Sequence, residues 1–149
     1  MRPVRREKRG ERGSALVELS LSLMAFILLT LGSMEFGWAI YSYNYCSFLA
    51  QSGARWASTQ GSLSSSPATA DSITAYVQTQ MVGMSPSNLT VTSTWCDSTG
   101  TNCNNTGSPY NTPSSLIKVN VQYVVNPLAG LALKQSFTVS STAQFVINH

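Results

Sequence analysis

The sequence predicts an α+β protein: a long N-terminal transmembrane and amphipathic helix packed on a small, three-stranded, largely antiparallel sheet. Three observations predict it. Residues 14–58 contain no proline, and the first part of that run is almost wholly apolar. Three later segments alternate apolar and polar residues with period two, the mark of half-buried strands. Between helix and strands lie Gly-, Ser- and Pro-rich breaks such as Gly61–Pro67 and Ser85–Asn88.

The chain has 149 residues, room for one modest domain plus a membrane segment. Charged residues are only 10% of it, against about 25% in ordinary soluble domains. Arg2, Arg5, Arg6, Lys8, Arg9 and Arg12, set against Glu7 and Glu11, give residues 1–13 a net charge of +4. Arg55, Lys118 and Lys134, set against Glu18, Glu35, Asp71 and Asp97, leave the rest at −1. A nucleic-acid partner would need its basic residues on a folded surface; here they form a terminal leader, and no nucleic-acid binding is expected.

The long helix follows the leader and spans residues 14–58. Leu19–Met34 is apolar apart from small Ser, Thr and Gly residues. Sixteen residues at about 1.5 Å each cover roughly 24 Å, and extension through Ile40 completes a membrane span of about 19–40. Glu35 then lies near its outer boundary. Trp38, Tyr41, Tyr43 and Tyr45 follow as an interfacial aromatic belt. The basic leader places the N-terminus in the cytoplasm and residues 59–149 outside.

Three readings fit this segment. A cleaved secretory signal needs a short apolar region with the junction after it, whereas this one is long and runs without a break into an amphipathic helix. A plain signal anchor is the second. The third uses Arg12-Gly13-Ser14-Ala15-Leu16-Val17-Glu18. A prepilin peptidase would cut between Gly13 and Ser14 on the cytoplasmic side. Gly13 would let an extended backbone enter the protease without a side-chain clash. The new ammonium of Ser14 would be neutralised by Glu18 one turn on, or by that of a neighbouring subunit. Glu18 alone is equally a carboxylate at a helix N-terminus, favourable for dipole reasons.

Farther along, Trp38, Tyr41, Tyr45, Phe48, Leu49, Ser52 and Trp56 recur at spacings of three and four and predict one packed face. That face serves either the protein's own C-terminal domain or packing between subunits. Ala50, Gly53, Ala54 and Ala57 permit close approach, and Cys46 reads as a buried thiol.

In the C-terminal part, Ala68–Met81 reads as a short helix with Pro67 in its first turn and Ile73, Tyr76, Val77 and Met81 on its apolar face. Strands are predicted where Leu89, Val91, Ser93 and Trp95 alternate with threonines, where Val119, Val121, Tyr123 and Val125 face one way, and where Phe137, Val139, Ser141, Ala143, Phe145 and Ile147 do. Asn126-Pro127-Leu128-Ala129-Gly130 reads as a turn or short crossover. Cys96 and Cys103 lie in a polar loop of about residues 96–114, where an oxidising compartment would close them into a disulfide. That loop is either an exposed contact surface or a tolerated insertion. CxxC spacing is absent and His149 is the sole histidine, so no metal site and no cofactor are expected. Nor do these residues assemble a nucleophile, a base and an orienting group, so the chain does not read as an enzyme.

The residues from Arg12 to Glu18, then Glu35-Phe36-Gly37, Tyr41-Ser42-Tyr43-Asn44 and Ala50-Gln51-Ser52-Gly53-Ala54-Arg55-Trp56-Ala57, together resemble a TadE-like minor pilin (pseudopilin) of the tight-adherence, or Flp-type, pilus system. The resemblance covers about the first 58 residues. It implies a pilin-like arrangement and processing at Gly13-Ser14 by a prepilin peptidase, with Glu18 as the family's carboxylate. It also implies a bacterial inner-membrane location and a role in assembling an adhesive pilus. Its partners would be other pilins, pilus-assembly membrane proteins and membrane lipid. Glu35 matches by position, either pairing with a partner helix or marking the membrane boundary. A signal-anchored extracytoplasmic binding protein is the alternative.

Overall fold

The structure, a computed structural model, describes residues 9–127 and 135–148, with side chains from residue 13 onward. Helix α1 runs from Arg9 to Ser58. It ends where expected but starts earlier, so the last residues of the leader are helical too. Helix α2 spans Ala70–Thr79. A short 3-10 turn at Pro86–Asn88 leads into strand β1, Leu89–Cys96, followed by β2 (Cys103–Asn104), β3 (Leu116–Val125) and β4 (Phe137–Val146).

The sheet has four strands, not three, in the order β2-β1-β3-β4, and every neighbouring pair is antiparallel. The additional strand is the two-residue β2, whose Trp95↔Asn104 and Cys96↔Cys103 pairs sit beside the disulfide. Register otherwise follows the predicted alternation. Val91↔Val121 and Tyr123↔Val139 pair on one face, and Thr92↔Asn120 and Asn120↔Thr142 on the other. Ile117, Val119, Val121, Tyr123 and Val125 are buried, while the polar face looks outward.

Helix α2 is shorter than the predicted Ala68–Met81. Thr69 has extended backbone and caps the helix: its hydroxyl accepts from Ser72 N at 3.2 Å, and Ser72 Oγ accepts from Thr69 N at 2.9 Å. A capping box of this kind fixes the start, which leaves Pro67 before the cap rather than in the first turn. Ile73 and Val77 are the buried residues of α2.

The largest revision concerns the packed face of α1. The predicted stripe meets the domain only in part: Leu49 is wholly buried and Trp38, Tyr45 and Trp56 pack against the core from its edge, whereas Tyr41 and Phe48 stay exposed. Cys46, Leu49, Ala50, Ala54 and Ala57 are wholly buried, and Ser42 and Gly53 lie with them. Small side chains let the helix axis approach the sheet and α2 closely. A Cβ on Gly53 would stand 2.8 Å from Val77 Cγ2. The aromatics flank this seam as a ladder. Trp38, Tyr41, Tyr45 and Phe48 have successive ring centroids 5.5, 5.4 and 5.7 Å apart. Cys46 is the buried free thiol the sequence led us to expect.

The polar loop is more ordered than its composition suggests. Asp97 N donates to Asn102 O at 2.9 Å, closing a hairpin over the disulfide. Within it, the Asp97 carboxylate accepts from Thr99 Oγ1 at 2.8 Å, Thr101 N at 3.0 Å and Asn102 Nδ2 at 2.8 Å. Partial desolvation pushes this carboxyl upward, but the bonds from Asn102, Thr99 and Thr101 outweigh it and hold it well below the usual carboxylate range. Gly100, at φ 76°, makes the left-handed turn that the hairpin requires. The predicted turn at Asn126–Gly130 lies outside the described residues beyond Pro127.

Candidate functional site

Every residue of α1 from Gly13 to Thr30 is exposed on all sides. Leu16, Val17, Leu19, Leu21, Leu23, Met24, Phe26 and Leu29 all expose more than half of their surface. A helix apolar all round and covered by no protein has the surface that a membrane-spanning helix presents to lipid. The stretch is long and apolar enough to cross a membrane, with a mean hydropathy of 2.1. Its hydroxyls are satisfied internally: Ser20 Oγ donates to Leu16 O at 2.7 Å, Thr30 Oγ1 to Phe26 O at 2.8 Å and Ser33 Oγ to Thr30 O at 2.8 Å. Each hydroxyl therefore enters an apolar medium with its hydrogen bond made.

Exposure first drops at Leu31, and Glu35, only 3% exposed, is the first buried residue of α1. Residues 14–34 thus form the free-standing part, about 31 Å at helical rise, close to the roughly 30 Å hydrocarbon core. The predicted span of about 19–40 overlaps it but ends where the domain already covers one side of the helix. Glu35 is buried within its own chain and holds an interaction there. A carboxylate so placed is a component of the domain before any partner helix arrives.

Gly13, Ser14 and Glu18 lie together on the exposed start of α1, with Ser14 and Glu18 one turn apart. Nothing stands within 4 Å of a Cβ built at Gly13. The peptide bond between Gly13 and Ser14 is helical, so an enzyme that requires an extended substrate must first unwind it. A glycine there weakens the helix by about 1 kcal/mol relative to alanine.

Two further features were missed by reading the sequence. The ladder tyrosines bond to the segment after α2: Tyr41 Oη donates to Val82 O at 3.1 Å and Tyr45 Oη to Gln80 O at 2.7 Å. Periodicity places tyrosines on a face but carries no signal of their hydroxyl partners. At the other end of the domain, Ser62, Thr69, Thr106, Ser108, Asn111 and Thr112 line a shallow cleft. It offers hydroxyls and amides but no titratable group, hence hydrogen bonding without acid-base chemistry. Among the described residues no cluster of His, Cys, Asp and Glu is arranged to hold a metal ion.

These observations define a class: a chain with one N-terminal helix fit for a single membrane crossing, continuous with a small antiparallel α+β domain. Residues 13–55 match the family model described as TadE-like protein, and over that segment the chain is similar to that family. The match begins at Gly13 and ends within the last turn of α1, so it covers the helix and none of the sheet. TadE-like proteins are associated with the Tad pilus and are not an enzyme family. No curated protein and no solved structure matches the chain significantly.

Proposed function

We propose that the chain is a minor pilin, or pseudopilin, of a Tad/Flp-type adhesive pilus, cut between Gly13 and Ser14 by a prepilin peptidase. The observation that carries this reading is the TadE-like match opening at Gly13 on a helix apolar on every side. The leader's charge of +4 favours a cytoplasmic N-terminus and an extracytoplasmic domain. After cleavage the Ser14 ammonium stands one turn from Glu18. The pair then enters the membrane surface as a neutral unit, where a lone charge at the bilayer centre would cost about 3 kcal/mol or more. The free helix packs against other pilins, and the domain, a pilin-like helix-on-sheet body, rides outside. The protein is then the substrate of the peptidase and a component of the assembly.

Mass spectrometry of the N-terminus in membranes tests this. A mature chain starting at Ser14, seen only when a prepilin peptidase is present, is expected. Gly13→Leu should leave the leader attached and abolish piliation. An intact leader in piliated cells would sink the mechanism. The cleft at the domain's far end favours the second reading, a signal-anchored extracytoplasmic binding protein outside any pilus. That reading expects an uncut leader, so the same measurement separates the two.

A further inference from the structure

Four charged side chains among the described residues of the domain gather at one end. Arg55 lies in the last turn of α1 and Asp71 in the first turn of α2. Asp97 sits in the hairpin after β1, and Lys118 Nζ donates to Gly100 O of that hairpin at 3.3 Å. All four belong to the end where Asn148 N bonds to Ser58 O at 3.0 Å, far along α1 from its free apolar part. The other end holds the start of β1, the end of β3 and the start of β4. No Asp, Glu, Lys or Arg occurs between Phe36 and Ala54 or between Ser72 and Cys96, whereas Lys134 falls by sequence between β3 and β4, and Glu35 is buried.

At this end the segment after α2 is pinned against the helix. Tyr45 holds the Gln80 carbonyl and Tyr41 the Val82 carbonyl, while Ser85 N donates to Tyr123 Oη at 3.4 Å. The segment turns at Gly83, φ 71°. Met84 points into the core at 8% exposure, whereas Val82 stands 67% exposed. Phe36 and Ile40 of α1 are exposed as well, at 68% and 47%.

The height of this turn follows from helix geometry. Helical side chains lean toward the N-terminus of their helix, here the membrane side. The Tyr41 hydroxyl, and the Val82 carbonyl it holds, therefore lie at the level of about Gly37. That level is about 4–5 Å beyond Met34, inside an interfacial layer roughly 5–7 Å deep. We infer that the Gln80–Met84 turn is a second membrane contact, seating Val82 in the headgroup layer of the bilayer that α1 crosses. The occupant of this surface is lipid, and the inference rests on reading α1 as a membrane span. Continuity with that span and a tyrosine belt at the same level favour lipid over a protein surface.

The test uses the full chain in phosphatidylcholine vesicles, with a thiol-reactive fluorophore on Val82→Cys, Leu23→Cys or Leu63→Cys. Wholly buried Cys46 stays in place, and protein without an added cysteine serves as the blank. Leu63, 76% exposed, lies in the turn after α1 at the charged end. Lipids carrying a nitroxide near the headgroup should cut emission from position 82 about twofold, as expected for a group sunk about 5–10 Å into the interface. Position 63 should not respond, and position 23 should respond to a nitroxide deep in the acyl chain. Should position 82 behave like 63 while 23 is quenched, the span stands and the second contact is wrong. A blue shift at 82 without nitroxide quenching means burial against protein and also overturns it. No quenching at 23 removes the membrane reading itself, and this inference with it.

Discussion

Gly53→Ala adds one methyl group where α1 comes closest to α2. The new Cβ would stand 2.8 Å from Val77 Cγ2, 3.6 Å from Val119 Cγ1 and 3.8 Å from Ile73 Cγ2. Two effects oppose each other. Alanine favours the helix by about 1 kcal/mol over glycine. Overpacking a filled core costs about 1–3 kcal/mol. The middle of that range or above applies, because Val77 is 1% exposed and its branched side chain has one preferred rotamer in a helix. The expected net effect is a loss of about 1 kcal/mol, or about 4–8 °C in Tm. A double-mutant cycle with Val77→Ala isolates the clash. Val77→Ala alone should cost about 2 kcal/mol through lost burial and a cavity. In the pair, the methyl group added at position 53 fills part of that cavity and the helical gain survives. The double variant should then be about 2 kcal/mol more stable than the two single effects summed. Thermal unfolding of the full chain in detergent micelles, followed by near-UV circular dichroism, reads all four proteins. Additivity within about 0.5 kcal/mol would refute the close approach of α1 and α2.

Two further outcomes follow from the hairpin. Opening the Cys96–Cys103 bridge, whose sequence separation is 7, should cost about 2.5 kcal/mol by chain entropy. Amide exchange should rise across Asp97–Asn104 while the centres of β3 and β4 stay protected; uniform deprotection would count against a local role. Asp97 also makes the hairpin pH-dependent. Its folded carboxyl lies below the unfolded value, so its contribution is fully present above about pH 4. It fades as pH falls from there toward the depressed folded value. Protection of the Thr101 and Asn102 amides, taken relative to their intrinsic exchange rate at each pH, should therefore fall in acid, and Asp97→Asn should flatten that dependence. An unchanged acid profile in the variant would remove Asp97 as the organiser.

Much of this architecture was legible because the sequence signals were long. Residues 14–58 gave a helix whose C-terminal end at Ser58 is observed, and alternation placed Val119, Val121, Tyr123 and Val125 on the buried side. Strand β2 was not legible. Two residues carry no periodicity, and their pairing with β1 accompanies a disulfide that folds Cys103 back on Cys96. The packed face of α1 was read only in part, for a different reason. Two stripes with the same three-four spacing run side by side on it, and hydropathy favours the aromatic one. The sheet accepts the stripe of Ser42, Cys46, Ala50, Gly53, Ala54 and Ala57, because close approach of backbones rewards small side chains over large ones. Burial of Glu35 left no trace in the pattern either, since hydropathy reads a carboxylate as a boundary. Of the candidate processing site, spacing gave Gly13, Ser14 and Glu18, and the structure adds that all three share one exposed helical turn or its neighbour.

The helix apolar enough to cross a membrane is also the helix on which the sheet is built, with no joint between them. From Met34 to Ser58 it reaches about 36 Å beyond the free stretch. A change of about 10° in the tilt of the buried part, well within the range of membrane helices, would swing the far end of the domain by about 6 Å. The domain is thus the arm of a lever whose fulcrum lies at the bilayer surface. Forces on the cleft, the hairpin or the disulfide reach the lipid-embedded end as rotation, and rotation imposed there returns as displacement at the tip.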